Sequence, residues 1–236
     1  MKGSGEVQQQ VTPLVAAAHE LKAPLSLVRQ LSLLLESADL TDAQRRLVSR
    51  ITLTSERALR LTTDVTKAAR LEDALFELEP LNPEQICRDI VHELTPLFEA
   101  HGRQLAVNRR SHPLLLVGNR DLLRRILANF SDNALHYTEP GTVVHMQISA
   151  LKQSGMIRIG VRDYGPALSA DMWRALKDRI AAGPLSVASR PQSSGLGLYL
   201  AGQFAEAMNG RIGVTKHRDG ATFYVELQAS QQLSLL

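Results

Sequence analysis

A histidine followed directly by a glutamate, His19-Glu20, is the first pair in the chain that could carry out nucleophilic chemistry. A neutral imidazole nitrogen is a competent nucleophile near neutral pH, and a neighbouring carboxylate can orient the ring or accept its proton. Pro24 follows five residues after His19. A proline inside a helix removes a backbone hydrogen bond and bends the helix. His19 and Glu20 are therefore candidate catalytic residues, although a histidine on a helix surface usually has no such role.

Two asparagines at helical spacing form the second candidate group. Asn129 and Asn133 are four residues apart and so share one face of a helix. Two carboxamide oxygens on one face suit Mg²⁺, a hard cation that prefers oxygen ligands and keeps several waters. His136 and Tyr137 follow in the next turn and could reach a phosphate and a base. The alternative is an ordinary amphipathic helix whose polar residues face water.

A carboxylate and a glycine, Asp163 and Gly165, come directly after a predicted strand. A carboxylate at a strand end can accept a hydrogen bond from an exocyclic amine. Asp-x-Gly also describes many turns, so the pattern alone is weak evidence. The segment from Asp219 to Phe223, which includes Thr222, lies between two late strands and could be merely a hairpin turn.

Two glycines at the start of a predicted helix suit phosphate binding, in the run Gly195, Leu196, Gly197 and Leu198. Glycines let a backbone approach a ligand closely, and a helix N-terminus offers free N–H groups. The spacing matches neither a P-loop nor the glycine motif of a dinucleotide-binding βαβ unit. Taken alone, this run is weak evidence as well.

The elements that would position the histidine have the heptad pattern of packed helices. Over residues 8–72, apolar residues recur in steps of four and three in two stretches, with Ser32 the one polar step of the first. Ser37 to Leu40 connects them, and Thr41 with Gln44 predicts a capping box for the second helix. The short connection implies an antiparallel hairpin. Two helices cannot enclose a core, so we expect two hairpins to pair into a dimeric four-helix bundle. The seam positions are Val11, Leu14, Ala18, Leu21, Leu25, Val28 and Leu35, then Leu47, Ile51, Thr54, Ala58, Leu61, Val65 and Ala68.

The rest of the chain mixes helical and strand patterns, and the predicted fold class is α+β. We place the helical hairpin at residues 1–72, a linker at 73–82, a mixed α/β sandwich at 83–230 and a tail at 231–236. Residues 164–194 are irregular, and a loop of that length is usually functional or disordered. Helices are predicted at about 83–100, 120–137 and 196–208, and strands near 104–108, 114–117, 142–151, 156–162, 211–216 and 221–227.

Composition argues against several other kinds of protein. The net charge is +3 and the basic residues are dispersed, which argues against a nucleic-acid partner. Cys87 is the only cysteine, so no internal disulfide can form, as is usual in a reducing cytoplasm. No apolar run approaches the ~18 residues needed to span a bilayer. We expect a cytoplasmic region whose membrane-bound upstream sensing part is absent.

The order and spacing of the five candidate segments resemble those of the bacterial sensor histidine kinases. The resemblance runs from about residue 8 to residue 228 and follows the family order throughout. His19 to Leu25 resembles the H box, and Asn129 to Thr138 resembles the N box. Three glycine-containing boxes are matched by Asp163 to Leu168, Ser193 to Leu200, and Gly220 to Phe223.

The resemblance implies an enzyme that uses ATP to phosphorylate His19 and passes the phosphoryl group to an aspartate of a response regulator. Glu20 would be the base or orienting group, and Asn133 would bind Mg²⁺. The chain would form a homodimer through residues 8–72. The resemblance places Asn129, His136, Gly195, Leu196, Gly197 and Leu198 around the phosphates. Tyr137 would pack against the nucleotide, and Asp163 would bind the adenine amine. Gly165 would leave room beside the base, and Thr222 would lie behind it.

Three positions and one region depart from the family pattern. Ala167 replaces a glycine, Ala23 stands where Thr or Asn is common, and His136 stands where Lys is frequent. The region before the second glycine box lacks the usual phenylalanine-rich motif, and Met172 and Trp173 could serve instead. Two alternatives stay open: a degenerate kinase that acts as a scaffold, and an ATPase of the same nucleotide-binding fold.

Overall fold

The structure is a computed structural model that describes residues 4–69, 77–108, 114–165, 169, 171, 173–174 and 196–231, with backbone alone at 4–14. Contacts between Cα atoms divide the chain into two compact units, Met1–Leu75 and Phe76–Leu236. The first is a pair of helices, and the second combines helices with a sheet. Within the described residues, no helix has the length and apolar character required to cross a membrane.

The first unit is an antiparallel hairpin of two long helices, α1 (Ser4–Glu36) and α2 (Asp42–Ala68). The predicted capping box at the start of α2 is confirmed. Gln44 N–H donates to Thr41 Oγ1 at 3.3 Å, and Thr41 N–H donates to Gln44 Oε1 at 3.0 Å. The polar contacts that join the helices include Arg29 Nε, which donates to Glu56 Oε1 at 2.8 Å, and Thr52 Oγ1, which donates to Glu36 Oε1 at 3.0 Å.

A single hairpin leaves many of its large apolar side chains in contact with solvent. Ala18 and Val65 are buried between the helices, at 5% exposure each. Several large side chains of the unit are instead well exposed: Leu21, Leu27, Val28, Leu31, Leu33, Leu34, Leu35, Leu47 and Ile51. Exposed large apolar side chains in this number are typical of an association surface.

The described part of the second unit includes two sheets and three helices of eleven residues or more. Its helices are α3 (Pro83–Ala100), α4 (Arg120–Tyr137) and α5 (Leu196–Glu206). The strands are β1 (Glu79–Leu81), β2 (Gln104–Val107), β3 (Leu116–Gly118), β4 (Val143–Leu151), β5 (Met156–Arg162), β6 (Arg211–His217) and β7 (Gly220–Gln228). The larger sheet has the order β2-β4-β5-β7-β6, in which only β2 and β4 are parallel, and β1 pairs antiparallel with β3.

The hydrophobic core lies between the larger sheet and the helices. Alternate residues of each strand point to one face of a sheet. The side chains of Ile159 and Val225 on that face are fully buried, and Phe223 packs against Phe130 of α4 with ring centroids 6.1 Å apart. The opposite face carries charged groups. There Glu226, itself fully buried, accepts hydrogen bonds from Arg158 and Arg211.

The predicted α+β fold is confirmed, with differences at some element boundaries. Strand β1 was not predicted, and it lies in residues assigned to the linker at 73–82. It forms because Glu79 to Leu81 pair with Leu116 to Gly118, and a proline is tolerated in a two-stranded sheet because each strand has an unpaired edge. Strand β3 begins at Leu116 and α5 ends at Glu206, whereas we predicted residues 114 and 208.

Candidate functional site

Helix α4 presents the asparagines of the second candidate group. The helix begins at an Asn119 cap, whose side chain accepts a hydrogen bond from Leu122 N–H at 3.2 Å. Asn129 is 6% exposed, and its Nδ2 has no hydrogen-bond partner among the described residues. Asn133, one turn later, is half-buried. His136 is exposed and Tyr137 is half-buried at the end of the helix.

The start of α5 packs beside the same asparagine. A Cβ atom built on Gly197 would lie 3.5 Å from Asn129 Oδ1. Leu196 and Leu198 are half-buried on either side of Gly197. The second candidate group and the glycine run are therefore adjacent in the fold, although 68 residues separate Asn129 from Gly197 along the chain (197 − 129). Gly195, Ala167 and Met172 lie outside the described residues, whereas Trp173 is described as half-buried.

Asp163 joins the segment after β5 to the start of β7. Its backbone N–H donates to Ala221 O at 2.9 Å. Its carboxylate oxygen Oδ1 accepts from Ala221 N–H at 3.1 Å and from Gly165 N–H at 3.2 Å. Burial raises the pKa of the Asp163 carboxyl, an effect reduced by these two backbone hydrogen bonds and by the charges of Arg162 and His217. The other carboxylate oxygen of Asp163, Oδ2, has no hydrogen bond to any described residue. It can therefore accept one from a ligand.

Two glycines are required by the close packing around this carboxylate. A Cβ on Gly165 would lie 2.5 Å from Tyr137 O, which is a backbone atom and cannot move aside cheaply. Gly220 has φ +119°, and a side chain there would collide with Asp163 Oδ1. The end of α4 and the turns after β5 and β6 therefore meet at Asp163.

Thr222 lies on β7 two residues beyond Gly220 and is 9% exposed. Its Oγ1 is 2.9 Å from His217 Nε2. Burial of the imidazole and the nearby charge of Arg162 lower the pKa of His217, against the opposing effects of Asp219 and Asp163. His217 was not identified from the sequence, since nothing in its local pattern points to Thr222.

Two further contacts in this region escaped the sequence prediction. Thr138 Oγ1 accepts a hydrogen bond from Tyr164 N–H at 3.1 Å, which ties the end of α4 to the segment after β5. Arg162 is 7% exposed and donates to the backbone oxygen of Asp163. Thr138 stands within the segment singled out earlier, and Arg162 directly precedes Asp163, so adjacency was the one signal available.

His19 and Glu20 lie on the separate helical hairpin. Both are exposed on α1, and so is Ala23 one turn later. The imidazole is therefore accessible to a reaction partner. The predicted metal ligand Asn133 is not part of a dense acidic cluster, because no group of three or more His, Cys, Asp or Glu suited to a metal occurs among the described residues.

Residues 118–231 match the histidine kinase-, DNA gyrase B-, and HSP90-like ATPase family. With the sheet order and the buried Asp163 described above, this match identifies the second unit as an ATP-binding domain of that class. The prediction of ATP as a ligand is supported by the same match.

Similarity to sensor kinases extends beyond this domain over most of the chain. The chain is 29% identical to sensor protein GacS of Pseudomonas syringae pv. syringae over 223 residues, which cover 91% of this chain and 24% of GacS. It is also 29% identical to the probable sensor histidine kinase TcrY of Mycobacterium tuberculosis, over 89% of this chain and 44% of TcrY. The crystal structure of full-length ShkA with AMPPNP has a TM-score of 0.65 and 30% identity, covering 94% of this chain and 47% of ShkA.

These similarities confirm the resemblance to bacterial sensor histidine kinases that the sequence indicated. The chain spans about a quarter of GacS and less than half of TcrY and of ShkA.

Proposed function

We propose that this chain phosphorylates its own His19 with ATP and then transfers the phosphoryl group to an aspartate of a response regulator. The observation that carries the proposal is the pairing of two parts within one chain. One part is a buried carboxylate, Asp163, clamped by backbone amides in an ATPase-type fold. The other is an exposed histidine on a helical hairpin. A nucleotide-binding domain that only hydrolyses ATP has no need of the second part.

In this proposal Asp163 reads the adenine base. Its Oδ1 is occupied by two backbone N–H groups, which leaves Oδ2 to accept a hydrogen bond from the exocyclic amine. Gly165 lets the chain pass close to Tyr137 beside the base, because a Cβ there would lie 2.5 Å from the Tyr137 backbone oxygen. Tyr137 packs against the nucleotide. The role predicted for Thr222 behind the base is not retained, because Thr222 pairs with Arg162 and so lies on the strand face opposite the helices.

The phosphate groups are assigned to the junction of α4 and α5. Gly197 lies against Asn129, whose buried Nδ2 lacks a partner among the described residues and can donate to a phosphate oxygen. Gly195, Leu196 and Leu198 would contribute backbone N–H groups at the start of α5, and His136 would assist nearby.

Mg²⁺ fits the donor set at this junction. Carboxamide oxygen is a hard ligand, and Mg²⁺ at nucleotide sites takes few protein ligands because substrate phosphates and waters complete its shell. Asn133 is half-buried on the same helix face as Asn129 and would hold the ion. When bound, Mg²⁺ neutralises charge that develops on the phosphate oxygens.

The proposed phosphoryl transfer forms one bond to phosphorus and breaks another. A bond forms between an imidazole nitrogen of His19 and the γ-phosphorus, and the bond from that phosphorus to the bridging oxygen of ADP breaks. ADP leaves, and the displaced imidazole proton passes to Glu20 or to water. Transfer to a regulator then breaks the labile P–N bond and forms an acyl phosphate on aspartate.

The hairpin is also proposed as the homodimer interface, over residues 8–72. Leu21, Val28 and Leu35 recur at heptad spacing on α1 and are 54%, 41% and 50% exposed in the single chain. Pairing two hairpins would bury this surface in a four-helix bundle. We further propose that the chain is the cytoplasmic part of a larger sensor protein.

Incubation with ATP labelled at the γ-phosphate tests the proposal directly. Label that stays on the protein in base and is lost in acid is expected for a histidine kinase. Labelled free phosphate without labelled protein would instead indicate an ATPase of the same fold, and neither product would indicate a scaffold. Either of the last two outcomes refutes the proposed activity.

A further inference from the structure

Arg162 is a buried arginine that lies immediately before Asp163, and its contacts are unlike those of an ordinary surface ion pair. Its side chain is 8% exposed, whereas that of its ionic partner Asp219 is 68% exposed. Burying a guanidinium is costly unless its donors are satisfied. The N–H donors of Arg162 are directed mainly at backbone oxygens, which indicates that this residue holds the backbone around Asp163 in place.

The guanidinium joins two turns that are distant in sequence. Its NH1 donates to Asp163 O and, at 3.4 Å each, to the backbone oxygens of Asp219 and Ala221. Its NH2 donates to Asp219 Oδ1 at 2.5 Å. The residue therefore cross-links the segment after β5 to the β6–β7 turn.

One residue that Arg162 holds, Ala221, also holds the carboxylate of Asp163. Ala221 presents its oxygen to Arg162 and its N–H to Asp163 Oδ1 at 3.1 Å. The same guanidinium lies 4.5 Å from the ring centroid of Tyr164, whose N–H is bound by Thr138 at the end of α4. Planar stacking and multiple N–H donors are properties of arginine that lysine does not share.

We propose that Arg162 is a positioning residue for recognition of the adenine amine, acting through Asp163. This inference rests on the proposed role of Asp163 in ATP binding. Arg162 lies on the strand face opposite the helices, together with Arg158, so it does not touch the nucleotide itself. It keeps Oδ1 of Asp163 on the two backbone N–H groups, and that fixes the direction in which Oδ2 points.

The test compares the dissociation constants (Kd) of ATP and of purine riboside triphosphate, which has hydrogen in place of the exocyclic amine. The variant Arg162→Met keeps the aliphatic length and removes the donors. Arg158→Met is the matched control, because Arg158 lies on the same strand face, stacks 3.9 Å from the centroid of the Tyr224 ring, and pairs with the buried Glu226.

The unmutated protein is expected to bind ATP more tightly than the analogue. Arg162→Met should weaken ATP binding by about tenfold while the Kd of the analogue changes little, so the preference for the amine is lost. Arg158→Met should keep that preference even if its melting temperature falls. A residue with a merely structural role would weaken both ligands equally.

If Arg162→Met does not fold, Asp219→Asn provides the same measurement. This exposed and nearly isosteric change weakens the hold on the guanidinium and should reduce the preference for the amine in part. Arg162→Lys should fail to restore it fully, because an ammonium has neither the fork nor the plane of arginine.

Two results would overturn the inference in different ways. An unchanged preference for ATP over the analogue in Arg162→Met and Asp219→Asn would overturn it and leave the proposed ATP site intact. Absence of any preference in the unmutated protein would overturn both the inference and the role proposed for Asp163.

Discussion

Replacement of Asp163 by asparagine should separate nucleotide binding from protein stability. Oδ1 of Asp163 accepts hydrogen bonds from Ala221 and Gly165, and the carboxamide oxygen of an asparagine can accept both. The NH₂ group then takes the place of Oδ2 and faces the adenine amine, donor against donor. The stabilising charge-assisted hydrogen bond disappears, and the binding loss expected is about 1.5–3 kcal/mol. That corresponds to a Kd for ATP raised about 10- to 150-fold.

The stability of the free protein should not fall in Asp163→Asn. Burial raises the pKa of the Asp163 carboxyl, so the folded protein disfavours its charged form relative to the unfolded chain. The stabilising contribution of the bound proton is complete below the ordinary pKa of 3.8 and is lost as the pH rises through the raised value. A neutral asparagine avoids the cost of the buried charge at neutral pH. Its melting temperature should therefore equal or exceed that of the unmutated protein.

The pH dependence of ATP binding provides the second half of this test. Acceptance of the amine requires the ionised carboxylate, so the Kd of the unmutated protein should rise as the pH falls from about 8 toward the raised pKa. The weak Kd of Asp163→Asn corrects for titration of the nucleotide itself, and the ratio of the two constants should shrink on acidification. Isothermal titration calorimetry measures both. ATP affinity in Asp163→Asn equal to that of the unmutated protein would refute the reasoning.

The remaining predictions concern the metal, the packing and the phosphatase reaction. Asn133→Ala should lose Mg²⁺-dependent ATP binding and still sediment as a dimer, and monomers would contradict the hairpin interface. Gly165→Ala should cost about 1–3 kcal/mol of stability because its Cβ would lie 2.5 Å from a backbone oxygen, whereas Gly202→Ala, whose nearest atom is 3.7 Å away, should melt no lower than the unmutated protein. Ala23 is exposed one turn after His19 and its methyl group cannot position a water, so Ala23→Thr should accelerate dephosphorylation of the regulator, by up to ~10²-fold. Rapid dephosphorylation by the unmutated chain, with ADP present, would count against that last expectation.

The helices were the most predictable part of the fold because their signals are local. The cap formed by Thr41 and Gln44 lies within one turn, and helix α4 occupies residues 120–137 as predicted. Strand β1 was missed for the opposite reason. Pro80 discourages a strand in its local sequence, and the strand exists because it pairs with β3, more than thirty residues away along the chain.

In the candidate site, too, residues with a local sequence signal were predictable, and residues that depend on distant contacts were not. Asp163, Gly165 and the segment around Thr222 could be selected from a pattern of residue types, and the structure brings these segments together. Arg162 and His217 could not, because their contacts depend on how the β6–β7 turn folds back onto the end of β5. The roles of His19, Glu20, Asn133 and Gly195 stay predictions.

The most direct test of the central claim is identification of the phosphorylated residue. The purified chain is incubated with γ-labelled ATP and Mg²⁺, and the label is located by mass spectrometry under neutral conditions. The account predicts phosphate on the imidazole of His19. It also predicts that His19→Ala loses all stable label while binding ATP with an unchanged Kd, because the two functions lie in separate units. Label on another residue, or undiminished label in His19→Ala, would contradict it.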